Sequence, residues 1–463
     1  MNLLSRILSI SFVFSLQCSF AFAADLQVAT FRVDVTPPIG DGPCVGFMQR
    51  IESIEHPLEM RGVLIRSGEE TFVVAAIDYC GICGSSDETI RSKMAQAAGT
   101  SLRQVALQSL HQHTAPVLDA DGMRVLFGDE SPELRRHQQF TDEIASKASK
   151  EIIRAKGELQ SVSRIIGTRA EVRQFASNRR VPQDDGSLRA RSSFTSDPAI
   201  RNAPEGLIDP WLRTVTFFNK KTPIAQLHYY ATHPQTFYGD ARISWDTVGI
   251  ARERFEKETG VFQVYFNGCG GNVTVGKYND GTRAARKRLS ENLHDAMLRS
   301  TQKINENQID VAVNVPSLST KQISWQSTPV KFTPREDGPF HPVAIEQQFA
   351  VGQRFSTRLK AAMYTAFRDR LQTDQKVQAS RMRIGEIDLI NLPGEPFVEF
   401  QLFAQRTAPK TSFVCVAGYG ECGVWYFGPD HIYSDRGGYE QTWSFTGPCE
   451  KEVQQTLSEL LKR

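Results

Sequence analysis

The sequence has little that would direct it to a membrane or to nucleic acid. After the N-terminal segment it has no apolar run of about eighteen residues, the length that a transmembrane helix needs. Acidic and basic residues are interspersed and nearly balanced, with a net charge of +2 over 463 residues. This even distribution argues against a polybasic surface for nucleic acid or anionic lipid. We therefore expect no nucleic-acid partner and no transmembrane anchor.

Two familiar catalytic motifs are also missing. The chain has no H-E-x-x-H segment, the helical motif from which many zinc hydrolases take two ligands. The glycine-rich turn "NGCGGNVTVG" lacks the lysine and hydroxyl pair of a phosphate-binding loop, although Thr274 within it offers a hydroxyl group. Histidine is scarce, with nine residues in the chain. Any metal site must therefore be assembled from residues on separate strands.

The first residues have the pattern of a secretory signal peptide. Arg6 precedes a mostly apolar stretch, and the small residues "AFA" stand just before Ala24. We expect cleavage after Ala23, a secreted or periplasmic protein, and a single domain over residues 24–463.

Cysteine use leaves several interpretations open. Seven cysteines follow residue 23, and an odd number leaves at least one thiol unpaired. Cys80 and Cys83 form the single C-x-x-C motif, which argues against a four-cysteine zinc site. Because export permits disulfides, these cysteines are interpreted as disulfide partners, as buried thiols or, less favourably, as a redox pair.

Apolar runs alternate with amphipathic stretches, which predicts an α/β fold of mixed sheets with flanking helices. Strands are predicted over 72–78 and 262–266. A helix is predicted over 140–157, with Thr141 as its N-cap and Gly157 at its end. Its buried face is predicted to contain Ile144, Ala148, Ile152 and Ala155. A second helix, over 285–299, has Leu289, Leu293 and Met297 spaced by four.

Two polar stretches are predicted to leave the core as loops. Residues 178–206 and 325–342 are rich in proline and in polar side chains. Long loops in compact domains are often functional. Arg179 and Arg180 begin the first loop, and guanidinium groups bind carboxylates well. They are therefore candidate ligands for a polar or anionic substrate.

Histidine and glutamate side chains stand where predicted strands end. "SLHQHTAP" contains His111 and His113, which would face one side of an extended chain. "ATHPQTF" contains His233, and "NLPGEPF" contains Glu395 directly after a tight turn. Hydrogen-bonded loop histidines and a charge at a helix N-terminus are the alternative interpretations. Two histidines and one carboxylate are nevertheless the ligand set of many catalytic zinc sites.

Taken in order, the motifs of the chain resemble those of the neutral/alkaline non-lysosomal ceramidase family. The resemblance runs through most of the chain, from "FRVDVTPPIG" through "AAIDYCGICG", "SLHQHTAP", "ATHPQTF", "ISWDTVGIARERFE", "NGCGGNVTVG" and "NLPGEPF" to "GGYE". It implies three zinc ligands, His111, His233 and Glu395. A tyrosine ligand of the family aligns with Phe427 by ungapped counting and with Tyr426 after a shift of one residue. Tyr426 is preferred because a phenyl ring cannot ligate zinc.

The resemblance also assigns residues around the metal. His113 and Tyr439 align with the family's catalytic histidine and second site tyrosine, and Thr274 retains the hydroxyl of a family serine. Asp78 and Asp246 would orient the ligand histidines. The acid that precedes the family serine is replaced by Asn272. Fewer than thirty residues follow Tyr439, so the family's C-terminal immunoglobulin-like domain is expected to be absent.

The implied function is a secreted zinc-dependent amidohydrolase that cleaves an N-acyl bond, with a lipid as in sphingolipid metabolism, or another small molecule, as its substrate. Because the C-terminal domain is not expected, a second hypothesis keeps the zinc but assigns a polar substrate, such as a carbohydrate or its acyl derivative. A third treats the chain as an exported binding protein without activity. The sequence leaves the oligomeric state and the disulfide pairing open.

Overall fold

The computed structural model describes residues 25–40, 50–236, 241–373 and 376–462. The predicted signal peptide and Cys44 lie outside these ranges. The strands are β1 (Leu26–Asp34), β2 (Ser53–Ile54), β3 (Glu59–Ser67), β4 (Glu70–Ile77), β5 (Gly81–Ile82), β6 (Val105–Ser109), β7 (Val117–Leu118), β8 (Gln160–Ser161), β9 (Arg164–Glu171), β10 (Ser177–Asn178), β11 (Arg180–Pro182), β12 (Leu188–Ala190), β13 (Trp211–Asn219), β14 (Thr222–Tyr230), β15 (Arg242–Ile243), β16 (Phe262–Asn267), β17 (Val273–Thr274), β18 (Val311–Asn314), β19 (Ile323–Pro329), β20 (Gln378–Ile384), β21 (Ile387–Asn391), β22 (Glu395–Pro396), β23 (Phe413–Ala417) and β24 (Tyr426–Phe427).

The helices are α1 (Gly84–Ala98), α2 (Ala120–Phe127), α3 (Pro132–Lys156), α4 (Pro198–Asn202), α5 (Asp246–Thr259), α6 (Arg283–Asn305), α7 (Pro342–Phe349), α8 (Phe355–Leu371), α9 (Val398–Thr407) and α10 (Glu450–Leu461). None of the helices in the described ranges has both the length and the hydropathy to cross a bilayer. The prediction of an α/β fold with mixed sheets and flanking helices is confirmed.

Three sheets make up the core of the fold, and each ends in one parallel pair. Their strand orders are β6-β4-β3-β1-β8, β16-β14-β13-β9-β18 and β19-β20-β21-β23. The edge pairs β4/β6, β14/β16 and β21/β23 are parallel, whereas the other pairs within these sheets are antiparallel. The carboxyl ends of two parallel strands lie at the same sheet edge, so each sheet brings two loops together there.

The sheets pack face to face, with helices on their outer sides. In β4, Val74 lies in a core cluster shared with the second sheet, whereas Val73 and Ala75 lie in a cluster with α1 and α3. This alternation follows from the two-residue period of a strand. The third sheet packs one face on the shared core and the other against α8 and α10. Both faces of the sheets are therefore buried, which rigidly positions their strand ends.

The helix predicted over 140–157 begins earlier than expected. Its N-cap is Ser131, whose hydroxyl accepts from the Leu134 amide, and Pro132 occupies its first turn. A serine followed by proline is a strong helix start, so Thr141 lies inside the helix and donates to the His137 carbonyl. The predicted end at Gly157 and the predicted buried face are confirmed. The second predicted helix lies within α6, with its three spaced apolar residues buried.

The two predicted loops contain more regular structure than expected. The segment 325–342 begins within β19, which pairs with β20. Its polar and apolar residues alternate as in a half-exposed strand. The polar composition alone predicts a loop, and for the residues of β19 that prediction is wrong. The segment 178–206 contains the β11/β12 pair and α4, and it lies against the region where the strand ends converge.

A buried histidine in the second sheet gives the fold a pH dependence. His228 accepts from the Thr214 hydroxyl at 2.9 Å and donates to the Gln263 amide oxygen at 2.7 Å. Burial lowers the pKa of His228 to about 4. The unfolded chain therefore binds more protons between pH 6.5 and 4, so this part of the folding free energy is lost as the pH falls through that window.

We expect the His228→Gln variant to have a flatter pH dependence of stability than the parent. The parent should lose roughly 3 kcal/mol more than the variant between pH 7 and pH 4, because about 2.5 pKa units correspond to that free energy. Urea unfolding of both proteins at the two pH values measures the difference. Parallel losses in the two proteins would contradict the assignment.

Candidate metal centre

The loops at the three parallel strand pairs converge on one cluster of side chains. His111 follows β6, His233 follows β14 and Glu395 follows β21. Their amides are fixed by neighbouring loops: His111 N donates to Tyr79 O, His233 N to Val273 O and Glu395 N to Trp425 O, at 2.8–2.9 Å. Each sheet thus contributes one residue to the cluster, which explains why the three are so far apart in sequence.

The three side chains meet around one carboxylate oxygen. Glu395 Oε2 lies 3.1 Å from His111 Nε2 and 2.8 Å from His233 Nε2. All three residues are buried, and their ligand atoms lie within 4.8 Å of one another. Ligands at about 2.0–2.1 Å from one zinc ion stand roughly 3.3 Å apart in a tetrahedron. The observed spacings are close to that value.

Backbone carbonyls set the direction in which the two imidazoles point. His111 Nδ1 lies 2.6 Å from Cys80 O, and His233 Nδ1 lies 2.6 Å from Gly270 O. A carbonyl accepts only, so each Nδ1 carries the proton and each Nε2 turns its lone pair toward Glu395. His111 also adopts a left-handed φ of 61°, which is uncommon for a residue other than glycine. The prediction that His111 and His113 face one point holds, but on a bent rather than an extended chain.

The charges of the cluster favour one additional cation. Burial would raise the pKa of Glu395, but the adjacent histidines outweigh it and lower the pKa far below its ordinary value. Burial lowers the pKa of His233 to about 4. Burial also acts to lower the pKa of His111, yet the Glu395 carboxylate beside it raises that pKa well above its ordinary value. A buried carboxylate facing two nitrogen lone pairs is stabilised by a proton or by a metal ion.

One unpaired oxygen supports the metal rather than a closed hydrogen-bond network. Glu395 Oε1 is fully buried and has no hydrogen-bond partner among the described residues. Leaving a buried acceptor without a partner is costly, and such exceptions usually mark a water or ion site. The Glu395 carboxylate, with its unpaired Oε1, and the Nε2 lone pairs of His111 and His233 therefore fit a divalent cation with nitrogen and oxygen ligands.

A tyrosine and an arginine complete the wall of the cluster. Tyr426 lies on β24, which pairs in parallel with β22 at Glu395. Its hydroxyl is 3.0 Å from His233 Nε2 and accepts from Arg179 Nη1 at 3.0 Å. Burial and the Glu395 charge raise the pKa of Tyr426, while Arg179 opposes this rise. The Tyr426 hydroxyl therefore lies within hydrogen-bonding distance of one candidate ligand atom, His233 Nε2.

His113 and Tyr439 lie beside the cluster on the side of the solvent. His113 Nε2 is 3.3 Å from His111 Nε2, and burial, together with the neighbouring histidines, lowers its pKa well below the ordinary value. The Tyr439 ring lies edge-on to Tyr426, with ring centroids 6.1 Å apart, and the Arg179 guanidinium lies 5.6 Å from the Tyr439 ring. Tyr439 is 38% exposed, whereas the other residues of the cluster are buried. It is therefore the most exposed of these side chains.

The remaining predicted site residues take other positions. The Thr274 hydroxyl donates to Ser193 Oγ at 2.7 Å, while its backbone bridges to His233. Arg180 forms ion pairs with Asp435 and Glu440 at 2.6 and 2.7 Å. These pairs hold the loop that carries Tyr439, so the Arg180 side chain is bound within the protein.

The side chains of the two aspartates bind an arginine and backbone amides, and not the rings of the candidate ligand histidines. Asp78 binds both terminal nitrogens of Arg252, at 2.8 and 2.9 Å. Asp246 accepts from the backbone amides of Thr236 and Thr247, each at 2.7 Å. Both threonines follow His233 in the sequence. The groups at the Nδ1 atoms of the two imidazoles are the carbonyls of Cys80 and Gly270, which sequence patterns do not reveal, so any orienting effect of the two aspartates is indirect.

Tyr419 is a site residue that sequence reasoning missed. It follows β23, and its ring stacks on His111 with centroids 4.8 Å apart. Its hydroxyl lies 3.3 Å from His233 Nδ1, and its carbonyl accepts from the Ser109 amide at 2.7 Å. The strand "SFVCVAGYG" is evident in the sequence, and the rule that site residues follow parallel strands would have identified Tyr419 at its end.

The described cysteines are free thiols. Cys80, Cys83, Cys269, Cys415, Cys422 and Cys449 are all buried and unbridged. Of the open interpretations of the C-x-x-C motif, buried thiols is the one that the structure adopts. Cys80 Sγ lies 3.8 Å from His111 Nδ1, so its loop packs directly against the metal cluster.

Comparison with known proteins identifies the fold. No protein-family model matches the chain, and no curated protein matches it by sequence. The solved structures that match include a neutral ceramidase from Pseudomonas aeruginosa and a ceramidase described as complexed with C2. Each has a TM-score of 0.68 and 16% identity, over 94% of this chain and 74% or 75% of the solved chain. The resemblance predicted from the ordered motifs is therefore confirmed at the level of the fold.

Proposed function

We propose that the protein is an exported zinc-dependent hydrolase that cleaves an N-acyl amide bond, as a ceramidase does. The observation that carries the proposal is the convergence of His111, His233 and Glu395 on one point, with Glu395 Oε1 left without a partner. In this proposal these residues and Tyr426 hold the zinc. When bound, zinc would lower the pKa of its water ligand to about 7 and polarise the substrate carbonyl.

The residues around the cluster have separable roles in such a reaction. His113 is kept neutral by burial and lies beside His111, so it can accept a proton and return it to the leaving amine. Tyr439 can donate a hydrogen bond to the oxygen that becomes negative in the transition state. Tyr419 and the carbonyls of Cys80 and Gly270 keep the imidazoles in place. The Thr274 hydroxyl supports the turn after β16.

A second candidate substrate class is favoured by one observation. Arg179 is buried beside Tyr426 and Tyr439, so a positive charge lies in the wall of the site. A guanidinium in this position suits a substrate that carries a carboxylate or several hydroxyl groups near the amide. This candidate keeps the metal and the reaction and changes the amine part of the substrate.

Conservative replacement of the two tyrosines tests their separate roles. We expect Tyr426→Phe to reduce zinc affinity by about 10–100-fold, because it removes a group adjacent to His233 Nε2. We expect Tyr439→Phe to keep the zinc and to lower kcat by about 10²-fold, because it removes a transition-state donor. Zinc titration against a competing chelator, combined with steady-state kinetics, distinguishes the two. Equal zinc affinity in both variants would remove Tyr426 from the ligand set.

The proposal as a whole is tested on the purified mature protein. Elemental analysis should find one zinc per chain, and chelation should abolish hydrolysis in a panel of N-acylsphingosines, N-acyl amino acids and acylated sugars. Faster turnover of N-acylsphingosine would exclude the polar candidate, and the opposite order would exclude ceramide as the preferred substrate. A folded protein that binds no zinc and hydrolyses none of the panel would overturn the proposal and leave a binding protein.

A further inference from the structure

The hairpin of β11 and β12, residues 180–190, docks on residues 435–440, which form the tyrosine loop around Tyr439. The Leu188 amide in the hairpin donates to the Arg436 carbonyl at 2.8 Å. The Arg436 guanidinium donates in return to the carbonyl of Asp185 at the turn of the hairpin. The two segments therefore form one structural unit, although 251 residues separate Asp185 from Arg436 in the sequence.

Arg180 joins both ends of the tyrosine loop. Its Nη2 lies 2.6 Å from Asp435 Oδ2, and its Nη1 lies 2.7 Å from Glu440 Oε2. The same Glu440 oxygen accepts from the backbone amide of Tyr439 at 3.2 Å, and the Glu440 side chain is fully buried. A planar guanidinium suits such a fork of two carboxylates. One carboxylate oxygen thus connects Arg180 to the backbone of Tyr439.

The two glycines before Tyr439 allow this close approach of the hairpin. Gly437 has a φ of 94° and forms a β-bridge with Leu188, whose carbonyl oxygen would lie 2.2 Å from a Cβ atom on the glycine. Gly438 has a φ of 97°, and a Cβ atom there would lie 2.7 Å from Arg180 Nη1. Both positions combine a left-handed backbone with contact to the hairpin, which glycine alone accommodates without strain.

The position of the Tyr439 hydroxyl depends on its backbone more than that of a buried residue would. The Tyr439 residue is 38% exposed, so surrounding side chains enclose it less than they enclose the metal-cluster residues. A hydrogen-bond donor for a transition state must stand about 2.7–3.1 Å from the oxygen that becomes negative. Contacts that fix the tyrosine loop therefore fix the hydroxyl as well.

We propose that Arg180 and Glu440 are positioning residues, which hold the Tyr439 hydroxyl where it can stabilise the transition state of the hydrolysis. The inference rests on the role of Tyr439 in the proposed function. Arg180 and Glu440 act through Tyr439 and not on the substrate. The competing interpretation is that their ion pair stabilises the fold and has no particular effect on the tyrosine.

A double-mutant cycle separates positioning from a structural role. Arg180→Met should lower kcat by about 10–100-fold on the best substrate of the panel, because a misplacement of about 1 Å can cost about 10²-fold. KM and zinc content should stay nearly unchanged, as for a group that acts only in the transition state. In the Tyr439→Phe background the same replacement should lower kcat by less than about twofold, because no hydroxyl remains to be misplaced.

Two further variants complete the cycle. Glu440→Gln removes the carboxylate charge without leaving a buried ion, so it carries the same cycle if Arg180→Met does not fold. Arg189→Met makes the same charge change in the same hairpin, where Arg189 is exposed and pairs with Asp197 at 2.6 Å, and should keep the parent kcat. Equal fold-losses of kcat with and without the Tyr439 hydroxyl would overturn the proposed positioning.

Limited digestion with trypsin tests the link to the loop without any substrate. Arg436 is exposed within the tyrosine loop, and cleavage after it follows local opening of that loop. Cleavage there should be at least about tenfold faster in Arg180→Met and Glu440→Gln, as expected for loss of a hydrogen bond to a charged group, and unchanged in Arg189→Met. Unchanged cleavage in all three variants would overturn the inference. A Tyr439→Phe protein with the parent kcat would instead overturn the role of Tyr439 in the proposed function.

Discussion

Replacement of His233 with alanine is expected to abolish binding of the proposed zinc ion and to reduce the proposed amide hydrolysis by at least about 10³-fold, because a bound zinc would lower the pKa of the attacking water. His233 contributes its Nε2 to the point where Glu395 Oε2 and the Tyr426 hydroxyl also meet, at 2.8 and 3.0 Å. Without it, His111 Nε2, 3.1 Å from Glu395 Oε2, is the one imidazole nitrogen left in the proposed ligand set. Zinc content and activity should fall together in this variant.

His113→Ala is the matched control for that experiment. His113 is buried next to His111, but its proposed role is proton transfer and not ligation. The His113→Ala variant should therefore retain about one zinc per chain, while its turnover falls by about 10²–10⁴-fold, the usual contribution of general acid–base catalysis. Circular dichroism shows whether both variants stay folded. Full zinc occupancy in a folded His233→Ala protein would contradict the ligand assignment, whatever its activity.

How much of this site is encoded in local sequence depends on which atoms do the work. The clustering of His111, His233 and Glu395 could be predicted because histidines and a glutamate stand directly after apolar runs, in an order that resembles a known family. The groups that orient them could not, since they are the carbonyls of Cys80 and Gly270, and every residue has a carbonyl. Which carbonyl faces a given imidazole depends on how three sheets pack, and single-strand patterns do not contain that information.

The fold shows the same division between side-chain pattern and backbone context. The buried face of α3 follows from residues spaced by three and four, and it was predicted correctly. The start of α3 was predicted wrongly, because Thr141 and Ser131 are both acceptable N-caps. Pro132 in the first turn favours Ser131. The strand β19 was not predicted because polar residues dominate its sequence: Ile323 and Trp325 are followed on the same face by Ser327. Asp78 is predicted to orient the ligand histidines, and its observed partner is Arg252, 174 residues later in the sequence.

Loss of the Asp78–Arg252 ion pair is expected to have a large effect on the stability of the fold. Arg252 is buried, and its two terminal nitrogens bind the two carboxylate oxygens of Asp78. Burial disfavours the charged guanidinium, but Asp78 outweighs this and raises the pKa of Arg252. Removal of Asp78 leaves the buried Arg252 charge with only the longer contacts to Glu59 and Glu253, at 3.7 and 3.6 Å. We therefore expect Asp78→Ala to lower the free energy of unfolding by about 3–5 kcal/mol, the usual cost of breaking a buried pair.

The double replacement Asp78→Leu with Arg252→Met separates the loss of the pair from the presence of an unpaired charge. Two apolar side chains of similar volume leave no buried ion, so the double variant should be more stable than Asp78→Ala alone in equilibrium urea unfolding. Glu59 and Glu253 also lie near Arg252, at 3.7 and 3.6 Å, and they limit the recovery. Because the His111 amide donates to the carbonyl of Tyr79, the residue after Asp78, the zinc affinity of each variant should follow its stability. A double variant that is less stable than Asp78→Ala would show that the pair itself, and not the avoidance of an unpaired charge, stabilises this part of the fold.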